Sequence, residues 1–130
     1  MRIMTNKFYE ETISLNSEPC VKSLSAIDDA LYVLGGKWKL RIIAGLSNGS
    51  IRFNDLQRML KGISARVLSS ELKELEVTGL VKRNVSPLRP AAAEYELTEY
   101  SLTLSEVLSS LTAWGQMHRE KIRRRELSVQ

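Results

Sequence analysis

Residues 63 to 83, ISARVLSSELKELEVTGLVKR, constrain the fold more than any other stretch, because they read as a helix closed at both ends and followed at once by a strand. Leu68, Leu72 and Leu75 recur at the i, i+4, i+7 spacing that lines one helix face, while Arg66, Ser69, Ser70 and Lys73 fall on the other. Ser64 is placed to cap the first turn, where its hydroxyl can accept from an N–H that has no partner within the helix. Gly79 is placed to end it, because glycine reaches the left-handed backbone conformation of a C-cap at no steric cost. The outward face carries short hydroxyls and cations and no large apolar residue, a surface suited to the major groove of double-stranded DNA.

The segments on either side complete a pattern. Residues 1–24 are polar, hold no sustained apolar period and read as an N-terminal arm. From Ala26, the residues Ile27, Ala30, Leu31 and Leu34 trace an amphipathic helix that Gly35-Gly36 should end. KWKLRIIAGL then turns Trp38, Ile42, Ile43 and Leu46 inward before Asn48-Gly49, and RFNDLQRML, with Asn54 as expected N-cap, places Leu56, Met59 and Leu60 on one face before Gly62. This third helix and the one after Ser64, joined by a short glycine-containing turn, form a helix-turn-helix. LVKRNVS and AEYELT read as two strands around the proline-containing tip SPLRPA, so the recognition helix is followed by a hairpin, or wing. Thr98 is expected to cap a long last helix. There Leu104, Val107, Leu108, Leu111 and Trp114 make a stripe larger than a small domain needs, which with Ile27 and Leu31 of the first helix reads as a dimer seam. The basic run REKIRRRE within residues 119–130 reads as a frayed tail. The expected fold class is therefore mainly α with a small β-hairpin: a winged helix-turn-helix over residues 25–118, with dimerisation helices at both ends.

Composition excludes more than it assigns. The chain has 130 residues, 43% of them hydrophobic, enough for one small core. Its +4 charge fits a polyanionic partner and equally fits many soluble proteins. One cysteine rules out an internal disulfide framework, no apolar run approaches a membrane span or secretory signal, and a cytoplasmic location is the simplest expectation. His118 and Cys20 are the sole histidine and cysteine, so no metal site and no nucleophile with an orienting base can be assembled from them; an enzyme is not expected, nor a cofactor. Gly36-Lys37 is no phosphate-binding loop, since Trp38 stands where Ser or Thr is needed.

Taken together, GGKWKLRII, Arg52-Phe53 with Leu56, the run Ile63 to Gly79 containing LKELE, then GLVKR, EYELT and a helix reaching Trp114-Gly115 resemble the HxlR-type winged helix-turn-helix regulators, relatives of the MarR group. The resemblance spans roughly residues 25 to 118. It implies a bacterial, homodimeric transcriptional regulator that reads a palindromic operator, with the helix of residues 64 to 76 in the major groove and the hairpin near residues 81 to 97 as wing. Where members of this family often carry Cys-Pro before the first helix, this chain has Ser25-Ala26, and its only cysteine, Cys20, lies upstream. The wing has Ser86, Ala91 and Ala92 where relatives commonly have an aromatic, a second proline and a basic residue.

On this reading Arg66 meets a base edge, Lys73 meets phosphate, and Ser64, Ser69 and Ser70 bond either. Arg52, Lys82, Arg83 and Arg89 flank that surface and add affinity with little sequence information. Glu71, Glu74 and Glu76 balance Lys73 or turn away from the duplex. Cys20 is either an inert thiol or a redox-responsive one, and oxidation is expected to have little effect. A small-molecule effector is compatible with the sequence, which does not identify it. The competing class is a winged-helix adaptor for another protein, which would show apolar anchors on the recognition helix.

Overall fold

The computed structural model describes residues 18–129 and divides into two compact units, residues 1–37 and 38–130. In the first, α1 spans Glu18–Leu34. Pro19 suits a first helical turn, since its missing N–H would find no partner there anyway. The helix thus starts upstream of Ala26, and residues 18–24 of the expected arm are helical because Val21 and Leu24 extend the apolar period of Ile27 and Leu31 backwards. All four of these residues are exposed. The Gly35 N–H donates to the Leu31 carbonyl over 2.7 Å, and a Cβ at Gly35 would collide with that carbonyl, so the helix ends on glycine as expected. Residues 1–17 of the arm and the side chain of Cys20 lie outside the described residues.

The second unit is built around leucine and isoleucine. α2 (Lys39–Gly45) buries Ile42 and Ile43, with Leu46 just beyond it. A two-residue strand, β1 (Ile51–Arg52), leads directly into α3 (Phe53–Met59). Two expectations change here. Asn54 does not cap α3: the capping position falls on Arg52, whose side chain makes no such bond, because β1 holds the chain extended up to that residue. Met59 is exposed while Leu56 and Leu60 are buried.

After a turn in which the Gln57 amide donates to the Ile63 carbonyl, α4 covers Ala65–Val77. The Ser64 hydroxyl accepts from the Val67 N–H at 3.1 Å, which satisfies one of the helix's orphan donors. At the other end Gly79 has φ +82°, Leu80 N–H donates to the Leu75 carbonyl and Gly79 N–H to that of Glu76. This pair of bonds is a Schellman closure, and the buried Leu75 and Leu80 supply its usual apolar contact. Leu68, Leu72 and Leu75 are almost fully enclosed, so α4 has one face fixed in the core and the other free of it.

β2 (Val81–Ser86) and β3 (Arg89–Leu97) form the expected hairpin, and β1 adds to the far edge of β3, giving an antiparallel sheet of order β1-β3-β2. Thr98 caps no long helix. Its hydroxyl donates to the Gly79 carbonyl at 2.5 Å and accepts from the Ser101 N–H, tying the end of α4 to a 3-10 helix over Tyr100–Leu104. Only then does α5 begin, and it runs over Ser105–Val129. Its last turns are helical rather than frayed. REKIRRREL holds no helix breaker, and Glu120 pairs with Arg123 and Arg124 at i+3 and i+4.

Candidate nucleic-acid interface

Three buried leucines fix the rotation of α4 about its axis, and that places Arg66, Ser69, Ser70 and Lys73 on the exposed side. Neither Arg66 nor Lys73 forms an ion pair among the described residues. Ser64 is exposed too, but one lone pair of its hydroxyl is committed to the cap. Val67 and Val77 are also exposed, so the outward face is less free of apolar residues than the sequence pattern suggested.

Beside Ser69 opens a cleft of about 810 Å³ between α3, α4 and one face of the hairpin. Four arginines line it: Arg52, Arg58, Arg83 and Arg89. Phe53 and Tyr95 are part of its wall, with ring centroids 6.4 Å apart. Arg58 is held by Asp55 one turn away, and Arg52 lies 3.8 Å from Glu94 across the sheet, whereas Arg83 and Arg89 have no ion pair among the described residues. The structure therefore brings Ser69, Arg83 and Arg89 together around one concavity open to a polyanion, while Arg52 borders it with its guanidinium drawn towards Glu94, on the sheet face that also carries Lys82 and Glu96. Arg52 owes its place to β1 rather than to α3, and Arg58 was not singled out in the sequence, where it looks like one more solvated helix charge.

Lys82 is placed differently. Successive residues of a strand point to opposite faces, so Lys82 turns away from its neighbour Arg83. Its ammonium lies 2.8 Å from Glu96 on the register partner across the hairpin. Hydrogen bonds from Lys82, Ser50 and Asn84 pull the Glu96 carboxyl down to about 2.

The acidic residues of α4 also pair unexpectedly. Glu71 and Glu74 do not balance Lys73 but face Lys39, the first residue of α2, at 2.7 and 2.5 Å. Glu71 Oε2 is enclosed and accepts no well-aligned hydrogen bond, so the adjacent ammonium charge is what compensates it. Burial by itself would lower the Lys39 pKa, yet bonding and charge from the two carboxylates outweigh it and the value is raised.

On α5, Val107, Leu111 and Trp114 are exposed and Leu108 is half-buried, as is Leu104 at the end of the 3-10 helix before it, while the Trp114 and His118 rings stack at 5.0 Å, one helical turn apart. No helix among the described residues is long and apolar enough to cross a membrane.

A winged helix-turn-helix with cations on the outward face of its second helix defines the class, and comparison with known proteins gives the family. Residues 33–123 match the HxlR-like helix-turn-helix model, and the chain belongs to that family. The HTH-type transcriptional regulator YtcD of Bacillus subtilis (strain 168) is 37% identical over 97 residues, which cover 75% of this chain and 77% of that one. Among solved structures, the redox regulator HypR in its reduced form superimposes with a TM-score of 0.71 at 34% identity, covering 76% of this chain and 98% of the other. The reduced form of the transcriptional regulator YodB from B. subtilis gives 0.62 at 35% identity, with coverages of 68% and 87%. The protein is thus a DNA-binding transcriptional regulator of the HxlR type, related to the MarR group.

Proposed function

We propose that the chain acts as a homodimer on a palindromic operator, each copy presenting α4 to the major groove of one half-site. The observation that carries this reading is the continuity of the outward face of α4 with the arginine-lined cleft beside Ser69. Arg66 donates a bidentate pair of bonds to a guanine edge, because its planar fork matches the two acceptors there. Lys73 meets phosphate, and Ser64, Ser69 and Ser70 bond phosphate or base. Arg83 and Arg89 hold the backbone in the cleft, Arg52 meets phosphate at its edge, and Lys82, already engaged by Glu96, contributes least. The second copy covers Leu104 of the 3-10 helix and Val107, Leu108, Leu111 and Trp114 of α5, and it also covers Ile27 and Leu31 of α1. A stripe of half-exposed apolar side chains along a helix of this length is better covered than left in water.

Selection of tight binders from random duplex DNA tests the reading. Enrichment of a palindrome whose half-sites lie about one or two helical turns apart is the expected result. Enrichment of a single unpaired motif would refute the dimeric operator, and no enrichment at all would refute specific reading by α4.

A further inference from the structure

This inference deepens the DNA-reading role proposed for α4 and rests on it. At about 3.6 residues per turn, Glu71 and Glu74 leave α4 on the flank between its leucine face and the face bearing Arg66 and Lys73. The opposite flank carries Ser69 and borders the arginine-lined cleft. Two carboxylates thus stand at one edge of a surface that has to approach phosphates, where negative charge is repelled.

Lys39 answers that charge. Its side chain is only 12% exposed and reaches both carboxylates at once, Glu71 at 2.7 Å and Glu74 at 2.5 Å. Cohesion does not require this triad, because Leu68, Leu72 and Leu75 already fasten α4 to the core. Partly buried ion groups also add little to stability compared with apolar residues of the same size. Glu74 remains 59% exposed, so without its partner it would extend into solvent beside the reading face.

We infer that Lys39 is a positioning residue for DNA binding: its ammonium holds the Glu71 and Glu74 carboxylates against α2 and keeps their charge away from phosphates bound near Arg66 and Lys73. The residue acts through α4 and touches no DNA itself.

The test uses the full chain with two duplexes, the one selected by the wild type and a random one, titrated against salt. Lys39→Gln with Glu71→Gln removes both of the more buried charges and leaves Glu74 unshielded, and adding Glu74→Gln removes that last carboxylate. The double variant should bind both duplexes roughly fivefold to tenfold more weakly than wild type, and the triple variant should recover to within about twofold. The two variants should melt together, and Lys39→Arg should keep wild-type affinity. Equal affinity of the double and triple variants overturns the inference, as does failure of both to fold, which would make the triad purely structural. A wild type that selects no sequence defeats the reading of α4 itself, and that failure is seen before any substitution is made.

Discussion

Helices α4 and α5 are both amphipathic, yet they stand in opposite relations to their own chain. α4 is short, capped by Ser64, closed by Gly79, and seated on three leucines that water does not reach. α5 is roughly twice as long and leaves Val107, Leu111, Trp114 and Ile122 exposed. The first helix is completed by contacts within one copy, so its outer face is available to a ligand. The second holds its shape through helix propensity and local pairs such as Glu120 with Arg124, and its apolar stripe is what a second copy would cover.

Substitutions in the two helices should separate these roles. The largest loss of stability is expected at the base of α4: Leu72→Ala opens a cavity in a closed site and should lower unfolding free energy by about 2 to 5 kcal/mol in denaturant titration. On α5, Leu108→Glu should leave the fold of the second unit intact by circular dichroism while shifting sedimentation at micromolar concentration from dimer to monomer. A substituted protein that still sediments as a dimer would remove Leu108 from the seam. Ser64→Ala deletes the N-cap bond and should cost about 1 kcal/mol of stability, less than any core change in α4. The smallest effect is expected on α1. Diamide treatment should leave DNA affinity nearly unchanged, in wild type and in Cys20→Ser alike, and cysteine-dependent release of DNA would show that α1 has a lever on the reading surface.

The contrast also explains what could be read from residues alone. The two ends and the buried face of α4 were legible, because cap, apolar period and glycine stop are local signals that agree with one another. The hairpin was legible from its β-favouring runs and the prolines near its tip. β1 was not, since Ile51 and Arg52 become a strand only through pairing with Tyr95 and Glu94, more than forty positions away. The start of α1 was missed because its polar residues hid the period begun by Val21 and Leu24. Basic charge at the end of α5 reads as a frayed tail, yet it is carried on a helix. The outward placement of Arg66, Ser69, Ser70 and Lys73 on α4 followed from helical spacing. The pairing of Lys39 with Glu71 and Glu74, and the opposite facing of Lys82 and Arg83, depend on packing between elements, which spacing within one element does not encode.

The most direct test of the central claim, that the outward face of α4 reads sequence while the arginine-lined cleft holds backbone, is a comparison of Arg66→Ala with Arg83→Ala on matched and singly mismatched duplexes across a range of salt. Arg66→Ala should cost about 1 to 3 kcal/mol on the matched site and relax preference at one base pair per half-site, whereas Arg83→Ala should weaken every duplex alike and reduce the salt slope by about 1. Equal losses on matched and random DNA for Arg66→Ala would contradict the account and make Arg66 a phosphate contact.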